Sequence, residues 1–535
     1  MASLTIRNLS VTPLELTQVE RYEADAVQSA RGVTDVVWSF LRTPIDYLTG
    51  CGANPSGGST GSGLVPKEGA PPMAMDAVAD VRIGAFATAR TAVKAPNPAS
   101  EVLRLTFKAE FGGGAAHKTY TVDVPAASPR SIELQPVKDQ ADGGGGDGQG
   151  ASQEAAAAAS FTAVYTASGA HLAIMSSAHL DKWMATVDGS WPLSSLSLPG
   201  THNSPAFHYA LPSVRCQAVD VRAQLDNGVR FLDVRVSVNP PKQPHADPRL
   251  SLVHSVFPVG LLGSHTFSEL YDAVCGFLDA NPTETVLVSI KREGTGKGTD
   301  ADLAHQLLNH YTGRPADLAK ERPAAGSESR RNEGGQPEPW RWYTESRIPS
   351  LDEARGRIVL IRRFGLPDED TFKQIHNGTG WGLDGSVWPD NCEDGLCGTG
   401  QMRLQDFYDV LQTTTIDTKI NYVHGLLAKS ASATYSKIGD PNGVSAATMP
   451  PLFINFLTGS NFFNARCWPE NVAARVNPSV IEYLCVKHNE AAAEGAANNN
   501  NGHGSTGVVV TDWVGHRGDW DLLRCIVAWN ARLQL

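Results

Sequence analysis

Residues 228–236 read Gly-Val-Arg-Phe-Leu-Asp-Val-Arg-Val. Val229, Phe231, Leu232, Val234 and Val236 are β-branched or large apolar residues, a composition that favours a strand with both faces covered. Asp233 and Arg235 interrupt that run near its C-terminal end. They stand two residues apart, and the side-chain period of a strand is two, so both lie on one face. A buried strand that ends in an acid and a base on one face suits a parallel barrel, whose sites are built at the C-terminal tips of the strands.

Working outward, seven further apolar runs follow the same plan: 193–198, 250–254, 285–290, 357–362, 402–406, 452–456 and 508–512. Amphipathic segments lie between several of them, at Val214–Leu225, Phe267–Leu278, Asp302–Tyr311 and Pro478–His488. Leu522, Leu523, Ile526 and Val527 give a last helix an apolar face. Eight strands with interspersed helices predict an α/β fold, an irregular (β/α)8 TIM-like barrel over residues 179–535. The connection Asn239–Arg249 carries Pro240, Pro241, Pro244 and Pro248 and is not expected to be helical. Arg314–Pro339 and Glu490–Gly507 read as surface loops without fixed structure.

Residues 1–178 differ in character. Strand-like runs at Leu4–Leu9, Val81–Ala85, Val102–Ala109, Thr119–Val124, Phe161–Tyr165 and Leu172–Ser176 are separated by turn residues, and helical periodicity is weak. They predict an N-terminal all-β, sandwich-like domain of unknown role. Asn54–Ser62 and Asp139–Ser160 are low-complexity and read as disordered insertions.

Of the 535 residues 41% are hydrophobic and 19% charged, an ordinary globular composition, and the length calls for more than one core. A net charge of -11 argues against a nucleic-acid partner. No apolar run is long enough to span a bilayer, and the N-terminus shows no basic segment followed by an apolar one. Eight cysteines in this length are no disulfide framework; Cys392 and Cys397 are read as free thiols, with a loop disulfide or a metal pair as the alternatives. A cytoplasmic location with transient membrane association is the expectation. Oligomeric state is not legible.

The polar groups at the predicted strand tips form one set. They are His202 and Asn203, Asp233 and Arg235, His254, Lys291 and Glu293, Arg363, Asp406 and Tyr408, Asn455, and Asp512. A single histidine beside a strand is most often a structural hydrogen bonder. Polar groups at all eight tips of one rim ask for a common cause. The set suits phosphodiester cleavage. Two imidazoles supply a general base and a general acid near neutral pH, a carboxylate orients one of them, and a guanidinium holds phosphate.

The segments LPGTHNS (198–204), GVRFLDVRV (228–236), LVHS (252–255), ETVLVSIKRE (284–293) and RGRIVLIRRF (355–364), in that order, resemble the X-domain barrel of phosphatidylinositol-specific phospholipase C enzymes. QDFY (405–408), LFINFLTG (452–459) and VVVTDW (508–513) resemble the bacterial type in particular. The resemblance runs from about Trp183 to the C-terminus, and the added N-terminal β region implies a fungal-like architecture. By position, His202 resembles the general base that takes the inositol 2-hydroxyl proton, Asp512 its carboxylate partner, and His254 the general acid. Arg235 resembles the phosphate-stabilising arginine. Lys291, Arg363, Asp406 and Tyr408 resemble the headgroup pocket. Calcium-dependent members carry acidic ligands where this chain has Arg235 and Lys291, so the resemblance implies catalysis without metal or other cofactor. Bacterial members have Asp where this chain has Asn203, a side chain that cannot supply charge to the general acid. Asp233 is counted with the catalytic set.

The implied partner is a phospholipid at a membrane surface. Phe257, Val259, Leu261 and Leu262 after the third strand, and Trp381 and Trp388 after the fifth, either dip into a bilayer interface or pack under their loops. Two rivals remain open: a metal-dependent glycerophosphodiester phosphodiesterase, and a catalytically weak lipid-headgroup binder. Arg235 and Asn203 stand against the first, and Asn203 alone favours the second.

Overall fold

The computed structural model describes residues 2–26, 64–76, 81–97, 100–125, 131–137, 150–166, 168–240, 250–312, 341–444, 448–490 and 502–535. The expectations for Asn54–Ser62, for residues 139–149, for nearly all of Asn239–Arg249 and for Arg314–Pro339 lie outside these residues.

In the N-terminal part every run read as a strand is one. Ser3–Leu9 pairs in parallel with His171–Ser176 and antiparallel with Thr88–Lys94, within a five-stranded sheet. Leu14–Ala26, Glu101–Phe111 and Ala116–Pro125 are the long members of a seven-stranded antiparallel sheet. The two sheets share a core: Leu103, Leu105 and Phe107 of one meet Leu4, Ile6, Leu172 and Ile174 of the other. This is what period-two alternation requires when each sheet has one covered face. Residues 150–158, read as part of a disordered insertion, instead form a helix. Alanine is the strongest helix former, and Ala156 buries against the shared core.

The larger part is an α/β barrel of the TIM-like kind, irregular in its pairing. We label its strands β1 (Leu198–Thr201), β2 (Phe231–Ser237), β3 (Ser251–His254), β4 (Val286–Arg292), β5 (Ile358–Arg363), β6 (Met402–Gln405), β7 (Leu452–Phe456) and β8 (Val508–Thr511). Parallel ladders run β5–β4–β2–β1–β8–β7–β6. Leu383–Asp384 adds a short parallel rung to β5, and no ladder among the described residues joins it to β6.

Two expectations are corrected here. β3 is not a parallel stave: it pairs antiparallel with the end of β2, Val236 opposite Leu252. The proline-rich link between them cannot form the helix that a parallel crossover needs, so the chain folds back as a hairpin. The first stave begins at Leu198 rather than Leu193. Leu193–Ser195 form a 3-10 turn, closed by the Ser195 hydroxyl donating to the Pro192 carbonyl at 2.8 Å.

The longer helices are α1 (Val221–Asp226), α2 (Phe267–Ala280), α3 (Asp300–Leu307), α4 (Thr413–Ala431), α5 (Pro469–Val486) and α6 (Asp521–Ala528), with short ones at Leu351–Ala354 and Asp370–Gln374. α5 starts at Pro469, where a missing N–H costs nothing, and runs on through Pro478, which had been expected to begin it. α4 was not foreseen. Its apolar stripe, Ile416, Val423 and Leu427, is interrupted by the wholly buried Lys419. The end of the insertion read as unstructured, residues 502–507, is fixed instead. His503 Nδ1 accepts from the Tyr435 N–H, and the Ser505 hydroxyl donates to the Leu196 carbonyl.

Inside the barrel, alternate residues build layers. Phe231, Leu287, Val359, Ile361, Leu404, Ile454, Phe456, Val508 and Val510 belong to one apolar cluster. Leu232, Val234, Val288, Ile290 and Leu360 point the other way, into the cluster under α2 and α3. One period further along the inward face, apolar gives way to ionisable: Phe231 to Asp233, Ile361 to Arg363, Leu404 to Asp406 and Val510 to Asp512, while in β4 Ser289 stands between Leu287 and Lys291.

At the opposite end, Arg230 and Glu284 form a fully buried pair at 2.8 Å. Arg230 also donates to the carbonyls of Leu180, Asp181, Leu225 and Val229. Removing one partner of such a pair strands the other charge, at a cost of about 3–5 kcal/mol. Glu284→Ala is therefore expected to lower the urea midpoint markedly, whereas Arg222→Ala, which breaks an exposed pair with Asp226, should shift it little. Equal midpoints for the two variants would refute this reading.

Candidate active site

β1 delivers His202 into a tight turn. Asn203 follows with φ 37°, in the left-handed region that asparagine tolerates better than most residues. The turn is pinned across the barrel: His202 N–H donates to the Thr511 carbonyl, and Asn203 N–H to Asp233 Oδ2 at 3.1 Å. It presents the His202 ring between two partners. Nδ1 meets Asp512 Oδ1 at 3.0 Å, and Nε2 accepts from Arg235 Nη2 at 2.8 Å. With the proton of the neutral ring held at Nδ1 by the carboxylate, Nε2 keeps its lone pair for the cavity. Burial holds Asp512 above the usual carboxylate range, while His202 and Arg235 pull the other way.

Asp233 is completely buried, and burial alone would raise its pKa. Arg235 and then Arg363 reverse this and hold it well below the usual range. Arg235 Nε and Arg363 Nη1 each stand 3.3 Å from its oxygens. Arg235 also reaches Glu293 at 3.4 Å, and the other Glu293 oxygen accepts from Lys291 at 3.0 Å.

His254 stands at the end of β3, its ring 5.5 Å from that of His202 and nearly perpendicular to it. Its Nδ1–H donates to the Val214 carbonyl at 2.7 Å, and Cys216 Sγ lies 3.5 Å from the same nitrogen. Asn203 does not orient this ring. Its amide donates to the Val253 carbonyl, and its buried oxygen has no hydrogen-bond partner among the described residues.

The other side of the cavity joins β5 to β6. The Arg363 guanidinium lies over the Trp388 indole at 3.9 Å, with Nη2 4.0 Å from Asp406. Trp388 donates from Nε1 to the same carboxylate oxygen, Asp406 Oδ2, at 2.9 Å. Tyr408 sits at the rim, half-exposed, its hydroxyl donating to Asp390. Asn455 faces away from the cavity and bonds Gln405 and the Val423 carbonyl instead.

Two contributors were not in the expected set. Gln217 donates to the His202 carbonyl at 2.7 Å, the Thr511 carbonyl at 2.9 Å and Asp512 Oδ1 at 3.4 Å, tying the tips of β1 and β8 together. Nothing in the sequence marks it. Lys419 donates to Gln405 Oε1 and the Phe407 carbonyl, holding the tip of β6 from behind. A lysine in the middle of an apolar helical stripe is the signal that could have found it. Glu293 was read as sharing a face with Lys291, and the structure adds its contact to Arg235.

Of the loop residues considered for a bilayer interface, Leu261 and Leu262 are exposed. Val259 and Trp381 are buried, the latter against Phe364 and Phe372, and Trp388 lies under Arg363; these three pack within the protein. Phe257 stacks on Phe462 at 5.6 Å, next to Phe463, which is 94% exposed. Among the described residues no helix is long and apolar enough to cross a membrane.

A two-imidazole cavity ringed by paired charges at the tips of an α/β barrel is the class of site this chain carries. Known proteins place it further. The chain is 24% identical over 347 residues to the 1-phosphatidylinositol phosphodiesterase of Staphylococcus aureus strain Newman, covering 63% of this chain and 89% of that protein. It is 25% identical over 194 residues to the Listeria monocytogenes protein of the same name, covering 35% and 50%. Among solved structures, the phosphatidylinositol-specific phospholipase C of S. aureus aligns over 65% of this chain with a TM-score of 0.46 and 22% identity. The Listeria monocytogenes enzyme aligns over the same share with a TM-score of 0.41 and 16% identity. No family model matches the chain. The resemblance carried by the eight motifs is thus found again in a match of 347 residues.

Burial lowers the His254 pKa below the ordinary histidine range, and the neighbouring Arg235 and His202 add to this. The fold therefore favours the neutral ring. Its contribution to stability is full above the unfolded value of about 6.5 and is lost as pH falls below it, because only the unfolded chain takes up the proton. In ligand-free protein the His254 Cε1–H resonance should stay at its neutral position as pH is lowered from 8 to 6. A midpoint at or above 6.5 would contradict the geometry.

Proposed function

We propose that the chain is a phosphodiesterase of the phosphatidylinositol-specific phospholipase C type, acting at membrane surfaces. The observation that carries the reading is His202, with Asp512 behind Nδ1, Arg235 on Nε2 and a second imidazole opposite.

In this reading Arg235 turns from His202 Nε2 to the phosphate of the substrate, which frees Nε2 to take the proton of the inositol 2-hydroxyl. The hydroxyl oxygen attacks phosphorus. Asp512 stabilises the imidazolium that forms. The negative charge of the bound phosphate favours protonation of His254. Nδ1–H stays on the Val214 carbonyl, so the proton delivered to the diacylglycerol oxygen comes from Nε2. The products are diacylglycerol and inositol 1,2-cyclic phosphate. Arg363, Lys291 and Asp406 bind headgroup hydroxyls, with Tyr408 at the rim.

Catalysis without calcium fits the electrostatics at the β2–β4 edge. Both oxygens of Glu293 are already engaged, by Lys291 and by Arg235 and the Ser255 N–H, and calcium calls for six or more oxygen ligands. The same arrangement speaks against the metal-dependent glycerophosphodiester phosphodiesterase. One observation favours the headgroup-binding alternative: among the described residues no carboxylate bonds His254, whose Nδ1 meets the Val214 carbonyl and Cys216, so its protonated form has less support in the free protein.

Exposed Val256, Leu261, Leu262, Leu411 and Phe463 lie on loops that follow β3, β6 and β7, the same end as the cavity, and support docking on a lipid surface. A cytoplasmic location belongs to the same reading. The seven described cysteines are all unpaired, and the Cys485 and Cys525 sulfurs lie 3.9 Å apart without a bond. The two face-packed N-terminal sheets we take as a β-sandwich domain spanning 1–178.

Phosphorus NMR with phosphatidylinositol vesicles in excess chelator is expected to show the cyclic phosphodiester. His202→Ala should lose about 10²–10⁴ in rate. No product with chelator, but product on adding calcium, would overturn the metal-independent reading. Inertness in both conditions would favour the binding protein. Leu262→Ser with Phe463→Ser should slow turnover of vesicles and leave a soluble headgroup substrate unaffected; equal effects on both would remove the docking surface.

A further inference from the structure

Cys216 has no part in the reaction just described, yet it is fully buried beside both imidazoles. We propose that His202, Cys216 and His254 bind a single thiophilic divalent cation of the zinc class, and that filling this site switches the enzyme off. The switching clause rests on the phospholipase reading; the cation site does not.

The donor set comes first. One nitrogen of each histidine and the Cys216 sulfur lie within 4.8 Å of one another. Cys216 Sγ and His254 Nδ1 are 3.5 Å apart. Bond lengths of about 2.3 Å to sulfur and about 2.0 Å to nitrogen at a tetrahedral angle place two zinc ligands about 3.5 Å apart. The Val214 carbonyl, which now accepts from that nitrogen at 2.7 Å, gives up this hydrogen bond, and water fills the fourth position. His202 already has the outer partner that zinc-binding histidines use: Asp512 on Nδ1, which leaves Nε2 for the cation.

The electrostatics allow it. Arg235 must give up its hydrogen bond to Nε2, but Asp233 and Glu293 hold it in place. Around the cavity Asp233, Glu293, Asp406 and Asp512 outnumber Arg235, Lys291 and Arg363, so the wall is not net cationic. The chemistry balances simply. The Cys216 thiol loses its proton to solvent as the sulfur–metal bond forms, and the His254 proton moves from Nδ1 to Nε2. Nothing is oxidised or reduced. A nitrogen and sulfur site selects zinc, cobalt(II) or cadmium over magnesium and calcium, which prefer oxygen. The occupied site has no free base at His202, and His254, bound to the metal through Nδ1, can no longer become the imidazolium that gives up its Nε2 proton.

The test uses the full chain, stripped with chelator and then titrated with cobalt(II). One equivalent should produce a thiolate-to-cobalt charge-transfer band in the near ultraviolet, and zinc should abolish it. C216S should lose the band and bind zinc at least about 100-fold more weakly. H254Q should also lose it, which guards against a folding defect in either variant alone. Zinc should suppress formation of the cyclic product in the wild type, reversibly with chelator, and C216S should resist that suppression relative to its own chelated state. No band in the wild type, or unchanged zinc affinity in C216S, overturns the site. A band without loss of product overturns the switch. A wild type that binds cobalt through Cys216 but has no activity would remove the phospholipase reading, and the switch with it, and leave the cation site standing.

Discussion

Asp233 is a carboxylate with no access to water, and much of the site follows from keeping it charged. A lone ion in such a place would neutralise or unfold its surroundings. Here Arg235 and Arg363 flank it and the Asn203 N–H caps it. Each of these partners has a second role. Arg235 also holds His202, Arg363 lies on Trp388 near Asp406, and Asn203 sets the turn that presents His202. The cavity is therefore a continuous charge network rather than a set of independent residues, and a change at one member is felt at the others.

Much of this could be read from the amino-acid order, because period-two alternation is a local property. GVRFLDVRV declares its inward face and its polar tip without reference to any other segment, and the same holds for RGRIVLIRRF and VVVTDW. What could not be read depended on distant partners. β3 looked like a stave, but its direction was decided by the proline-rich link before it. Whether Trp388 anchors a membrane or packs under its loop was open in the sequence, and Arg363 lying on it decides for packing. Gln217 clamps two strand tips that are about as far apart in the chain as any in the barrel, and no local pattern announces it. α4 was missed because Lys419 breaks its stripe, and the lysine is there to serve a neighbouring strand.

The position after His202 shows how a role can pass from one kind of group to another. Asn203 turns away from the second imidazole, which is steered by a backbone carbonyl at Val214. A carbonyl fixes ring orientation as well as a carboxylate does, but it lends the ring no charge. In the proposed reaction His254 thus depends on what enters the cavity to become an acid. Such a residue would be armed by its own substrate, while burial favours its neutral form in the empty protein.

The N-terminal sheets and the barrel are not beads on a string. Leu9, Phe86, Val164 and Met175 share a buried cluster with Val472, Val476 and Ile526 of α5 and α6, and the Arg7 guanidinium lies over Trp529 and bonds the His488 carbonyl. Cutting the chain between the two parts would bare a greasy seam on each. Whatever brought the two together, they now inherit each other's fate: a gene fragment encoding either half alone would deliver a product with an unfinished surface.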